Sequence, residues 1–210
     1  NQGYDVAPLV VVGKDARGDE IKDFLKKQKI STNLVFSDDS DITLVPGVND
    51  SSLKNNHKII SVASCTTNCV TPVLKVIQDH IGVKRCFFTT IHAYTSTQRL
   101  VDTPHKDLRR ARAAAANIIP TSTGADVAAV QAIPELQGKV RGLAFRVSVP
   151  DGSVTDFTIE TEKKVTVEEI NKLFKKHSSG KMKGIIEFSE DELVSTDILH
   201  NPHSAIFDSK

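Results

Sequence analysis

Lys58-Ile-Ile-Ser-Val-Ala-Ser-Cys-Thr-Thr-Asn-Cys69 reads as a short buried strand, Lys58 to Val62, that feeds a helix. Beyond it Val70, Val73, Leu74, Ile77 and Ile81 recur at helical spacing, and Gly82 supplies a stop. A strand running into a helix start places Cys65 among amide groups that have no partner within the helix, at the positive end of its dipole. Both favour thiolate over thiol. With a histidine nearby, such a setting lowers a cysteine pKa from about 8.5 to between roughly 3.5 and 7.5. The competing reading is a small buried core cysteine.

Working outward, Val83 to Ala93 reads as a strand with His92 near its end. The 27 residues that separate His92 from Cys65 allow a helix and a returning strand to bring both to one sheet edge. A core histidine is the other reading of His92. Tyr94 to Ser122 shows little alternation and carries Arg109, Arg110 and Arg112; a structureless stretch of that length is usually functional. Gly124 opens a short helix, Ala125 to Ile133, stopped by Pro134. Gly142 to Val149 and Val154 to Glu160 read as paired strands. Thr166-Val-Glu-Glu169 is a capping box, followed by a buried stripe of Ile170, Leu173, Phe174 and His177. Ile185 to Phe188 and Leu193 to Ile198 read as further strands, with another running at Phe207.

Upstream, Leu9-Val-Val-Val12 has the continuous β-branched character of a strand covered on both faces. A loop from Gly13 to Gly18, a helix through Ile21, Phe24 and Leu25, and strands at Asn33 to Phe36 and Ile42 to Val45 follow. This order suits the closing half of a doubly wound parallel sheet. The expected fold class is therefore an α/β remnant of such a sheet, followed by an α+β domain with a mixed, largely antiparallel sheet. The boundary falls between residues 1–63 and 64–210.

Bulk properties exclude several functions. Lysine and arginine total 27 against 26 acids, a net charge of +1 over 210 residues, which does not suit an electrostatic nucleic-acid binder. Three cysteines, two of them four residues apart on one helix, make neither a disulfide framework nor a zinc site. A reducing, cytoplasmic compartment fits. No apolar run approaches the roughly 20 residues that span a bilayer. The missing initiator Met and the strand running at the last residues suggest a chain truncated at both ends.

Ser64-Cys-Thr-Thr-Asn-Cys69 resembles the active-site signature of phosphorylating glyceraldehyde-3-phosphate dehydrogenases. The resemblance continues through Thr89-Thr-Ile-His-Ala-Tyr-Thr95, His105-Lys-Asp-Leu-Arg-Arg-Ala-Arg-Ala-Ala-Ala115, Ile119-Pro-Thr-Ser-Thr-Gly124, Phe145-Arg-Val147 and Lys183-Gly-Ile185. It covers about Ile42 to Asp208. It implies the end of an NAD-binding domain followed by a catalytic domain, with Cys65 as nucleophile and His92 as general base. By the same resemblance Ser64, Thr66, Thr123 and Gly124 hold attacking inorganic phosphate, while Thr95, Thr97 and Arg146 hold the phosphate of glyceraldehyde 3-phosphate. Arg146 suits the task because a guanidinium grips phosphate with two hydrogen bonds. The implied cofactor is NAD or NADP and the implied assembly a homotetramer, with Tyr94 to Ser122 as the family's S-loop at a subunit interface. The remaining histidines, His57, His80, His105, His177, His200 and His203, read as structural or solvated.

Departures from the pattern keep alternatives open. The Gly-x-Gly-x-x-Gly turn for a dinucleotide does not occur in the 210 residues, and no residue is assigned to the cofactor or to a metal. Val12 to Ile21 resembles a segment of ribokinase-type sugar kinases more than the family's nicotinamide-side turn. Many family members have Asp where Thr97 stands. Erythrose-4-phosphate dehydrogenase chemistry is one alternative. A catalytically incompetent truncated or hybrid chain acting as an interaction or regulatory subunit is the other.

Overall fold

Parallel pairing of two short strands, β1 (Val10–Val12) and β2 (Val35–Ser37), opens the fold, with Val10 opposite Val35. The computed structural model describes residues 10–12, 35–37 and 40–210. The loop at Gly13 to Gly18 and the helix through Ile21 lie outside the described residues. Two units emerge: Asn1–Ile42 with Lys54–Ser61, and Thr43–Leu53 with Val62–Lys210.

Strand β3 (Ile42–Thr43) is shorter than the expected Ile42 to Val45. Val45 turns away because its amide donates to Asn49 Oδ1 at 2.8 Å while its carbonyl accepts from the Val48 and Asn49 amides. Strand β4 (Ile60–Ser61) is also short, and Ile60 is 41 % exposed, so this strand is not the buried one that its apolar letters suggest.

In the larger unit, α1 (Cys65–His80) buries Val70, Val73, Leu74 and Ile77, and Ile81 closes its end against the same core. Gly82 follows at φ +86°, the left-handed conformation that favours glycine. The chain then enters β5 (Val83–Ala93), the centre of a four-stranded sheet with β6 (Ile119–Thr121), β7 (Val140–Val147) and β8 (Ser153–Thr161). The order is β6-β7-β5-β8, with β5 parallel to β7 and the other two pairings antiparallel. The expected mixed, largely antiparallel sheet is present, but the expected pairing of Gly142 to Val149 with Val154 to Glu160 is not: β7 and β8 do not touch as neighbours. Between them lies β5, whose buried Cys86, Phe88 and Thr90 need cover from both sides, and residues 148–152 cross over its end.

Strand β6 interrupts a stretch read as irregular. Pro120 hides it in the sequence, yet an edge strand tolerates a residue with no amide to donate. Helix α2 (Ala125–Ala132) packs on α1 and β7, and α3 (Val167–Ser179) starts on the expected capping box, Thr166 with Glu169. Phe174 of α3 stacks on Phe207 at 4.1 Å between ring centroids, and Phe207 belongs to β10 (Ala205–Asp208), which runs parallel to β9 (Ile186–Ser189). Leu193 to Ile198 forms turns rather than a strand: Asp197 bonds Val194 through both its side chain and its amide.

Strand alternation decides where the chemistry sits. Cys86, Phe88, Thr90 and His92 share the inner face of β5, and their neighbours Val140, Gly142, Ala144 and Arg146 share that of β7. His92 and Arg146 thus lie side by side at the last rung, facing the same way as the core.

Candidate active site

Ser64 begins the site by capping α1: its Oγ accepts from the Thr67 amide at 3.1 Å and lies 2.8 Å from Thr67 Oγ1. Before it stands Ala63 at φ +58°, a conformation sparsely populated by residues with a Cβ. Asn68 ties this turn down, donating to the carbonyls of Val62 (2.8 Å) and Ser64 (3.0 Å). The capped turn presents Cys65 at the first helical position, exposed and unbridged. Its Sγ lies 3.2 Å from His92 Nε2. That contact, with help from the Thr66 amide and hydroxyl, outweighs burial and lowers the Cys65 pKa to about 7. The same contact raises that of His92. Cys69 and Cys86 behave oppositely, since burial raises both, Cys86 to about 11.

His92 Nδ1 has two neighbours that make incompatible demands. It lies 2.8 Å from the Ala93 carbonyl, which needs a proton on Nδ1, and 2.6 Å from Arg146 Nη1, which needs a lone pair there. Arg146 Nη1 also donates to the Ala93 carbonyl at 2.9 Å. Burial holds the Arg146 pKa below its usual value, and its Nε is buried with no acceptor. An unpaired buried donor costs roughly 1–3 kcal/mol.

Thr95 and Thr97 follow β5 directly, with their hydroxyl oxygens 3.0 Å apart. Gln98, which the sequence reading passed over, is 5 % exposed and bonds both of them. Arg110 lies in the stretch that resembles the family's S-loop, with no site role expected of it. It grips Thr121 Oγ1 through Nε (3.0 Å) and Nη2 (2.8 Å) and contributes positive potential at Arg146. Thr66 is buried in the first turn of α1. Thr123 caps the Ala125 amide at 3.2 Å, beside Gly124 at the N-cap of α2. No hydrogen bond joins Thr123 to the Cys65–His92 pair. A Cβ added to Gly124 would meet nothing within 4 Å. A cleft of about 500 Å³ opens beside Cys65, walled by Cys69, the start of β8 and the turns after Leu193. His92 and Arg146 are not in its walls. Among the described residues no cluster of three or more metal-ligating side chains occurs, and no helix is long and apolar enough to cross a membrane.

An exposed thiol of lowered pKa against an imidazole, with a guanidinium one residue-width away, is suited to covalent attack on a carbonyl carbon with proton transfer at Nε2. Comparison with known proteins points the same way. Residues 64–210 match the family profile described as glyceraldehyde 3-phosphate dehydrogenase, C-terminal domain. A glyceraldehyde-3-phosphate dehydrogenase of Mycobacterium avium is 55 % identical over 171 residues, 81 % of this chain and 50 % of that protein. The Streptomyces coelicolor enzyme of the same name is 53 % identical over 173 residues, 81 % of this chain and 52 % of the relative. The chain thus spans about half the length of the curated relatives it matches. By the extent of the profile match and by these identities, it belongs to the glyceraldehyde-3-phosphate dehydrogenase family.

Proposed function

We propose that this chain carries the catalytic part of a phosphorylating glyceraldehyde-3-phosphate dehydrogenase, residues 64–210, preceded in residues 1–63 by the end of a nucleotide-binding domain. The observation that carries the reading is the 3.2 Å approach of Cys65 Sγ to His92 Nε2 at a capped helix start. The Cys65 thiolate adds to the aldehyde carbon of glyceraldehyde 3-phosphate, giving a hemithioacetal. His92 Nε2 takes the hydroxyl proton as the hydride departs from the same carbon, leaving a thioester on Cys65. NAD or NADP, when bound, supplies the hydride acceptor; the residues present serve only its reacting end, where Cys65 stands exposed. An oxygen of inorganic phosphate then attacks the thioester carbon, and Cys65 leaves as thiolate with 1,3-bisphosphoglycerate as product.

In this reading Arg146, Thr95 and Thr97 anchor the substrate phosphate, and Ser64, Thr66, Thr123 and Gly124 receive the attacking one. Support comes from the orphaned Arg146 Nε, the paired threonine hydroxyls and the open space at Gly124. The outer face of the sheet exposes Phe87, Leu143 and Val154, an apolar surface consistent with a homotetramer. A cytoplasmic location suits the free thiols.

Iodoacetamide labelling across pH tests the proposal. Thiolate is the reacting species, so Cys65 alkylation is expected to plateau above its pKa of about 7 and to fall about tenfold per pH unit below it. His92→Asn removes the largest cause of the shift and moves the rise upward, toward the roughly 8.5 of an ordinary thiol. Labelling like that of an ordinary thiol, indifferent to His92, would sink the catalytic reading and favour a non-catalytic interaction subunit.

A further inference from the structure

We propose that Arg146 holds His92 in its Nε2–H tautomer while the substrate site is empty, and releases it to the Nδ1–H tautomer by swinging to the substrate's phosphate. The proposal rests on the reading of Arg146 as phosphate anchor. Its argument is proton accounting at one ring nitrogen. A guanidinium has only donors and keeps its protons in proteins. With Arg146 Nη1 2.6 Å from His92 Nδ1, that nitrogen must present its lone pair, and the single ring proton of the neutral imidazole sits on Nε2, toward Cys65 Sγ.

In that state Nε2 cannot act as a base. It already bears a proton, so it can take neither the thiol proton of Cys65 nor the hydroxyl proton of a hemithioacetal. The tautomer that can is also prepared, because Nδ1 lies 2.8 Å from the Ala93 carbonyl. Arg146 obstructs it by donating to Nδ1; the Ala93 carbonyl has a lone pair for each donor. Movement of Arg146 relieves the obstruction. It also serves the guanidinium, whose buried Nε has no acceptor where it stands and gains one from an anion.

Charged or titratable groups acting on the trio come from three elements: Arg146 from β7, Arg110 from the loop before β6, which acts on Arg146, and Cys69 one turn along α1 from Cys65. None is a carboxylate that could draw Arg146 away in place of phosphate. The arrangement makes base competence conditional on a phosphorylated ligand, so an unphosphorylated aldehyde meets a histidine in the wrong tautomer.

Nitrogen NMR of ¹⁵N-histidine-labelled protein reads the tautomer directly, with His92→Asn identifying the signals. Without ligand, His92 is expected to show a bare Nδ1 and a protonated Nε2. Saturating inorganic phosphate should move the proton to Nδ1, and Arg146→Met should show the Nδ1–H form with no phosphate added. A ligand-free His92 already protonated on Nδ1, or a tautomer indifferent to phosphate in a protein whose Cys65 retains its low pKa, would overturn the proposal and leave the catalytic reading intact. A Cys65 that reacts as an ordinary thiol in every state would overturn both.

Discussion

Gln98 carries no titrating group, yet it decides which protons two other side chains can offer. The Thr95 amide can only donate, so the Gln98 atom 2.8 Å from it is Oε1, and Nε2 faces Thr97. Thr95 Oγ1 lies 3.2 Å from the same Oε1 and gives it its proton. Thr97 Oγ1, already receiving Nε2–H, is the one hydroxyl with a proton to place, either on Thr95 Oγ1 at 3.0 Å or, by rotation, on a ligand. Gln98→Leu keeps the bulk but abolishes this arrangement. The ratio of kcat/KM for glyceraldehyde 3-phosphate to that for glyceraldehyde should fall about tenfold, the worth of one or two hydrogen bonds. The pH profile of Cys65 labelling should not move. An unchanged ratio would show that the threonines need no brace. The places of Cys65 and His92 were legible in the sequence because each stands at the end of a strongly patterned element, while the roles proposed for them came from the family resemblance. Gln98 was not, because its value comes from burial and from bonds within a four-residue turn that has no periodicity.

At the scale of elements, the period of the pattern set what could be read. Helix α1 announced its buried stripe residue by residue, and β5 its ends, since each has enough turns or rungs for the pattern to repeat. Strand β6, three residues with a proline at the centre, had no pattern to show, and Leu193 to Ile198 has β-branched letters whose backbone is spent on turns. Pairing was harder still: neighbouring strands in sequence suggested a β7–β8 hairpin, and only the burial demand of β5 separates them. Gly142 records that demand. A Cβ there would meet the Phe88 ring at 2.2 to 2.7 Å, and Phe88 is wholly buried. Gly142→Ala is therefore expected to cost about 1–3 kcal/mol through overpacking, read as a lower urea midpoint with an unchanged slope. Phe88→Leu in the same chain should recover part of it.

For the molecule as a whole, the central position of β5 fixes when the site can come into being. Cys65 and His92 are joined by a local helix and strand, but the strands that hold His92 in place arrive much later in the chain: its neighbours on either side are Arg146 and Ser153. Contacts of such sequence separation form slowly compared with a helix. During refolding from urea, far-ultraviolet circular dichroism should therefore report α1 before pulsed iodoacetamide finds a fast-reacting Cys65. Thiolate reactivity that rises together with the first helical signal would contradict this order. A chain growing from its amino end meets the same constraint, for its nucleophile is made early and armed late. Until residue 153 has emerged and docked, Cys65 lacks a fixed His92 beside it and is expected to react more slowly, so the nascent protein is less open to the oxidants and electrophiles that its finished form attracts.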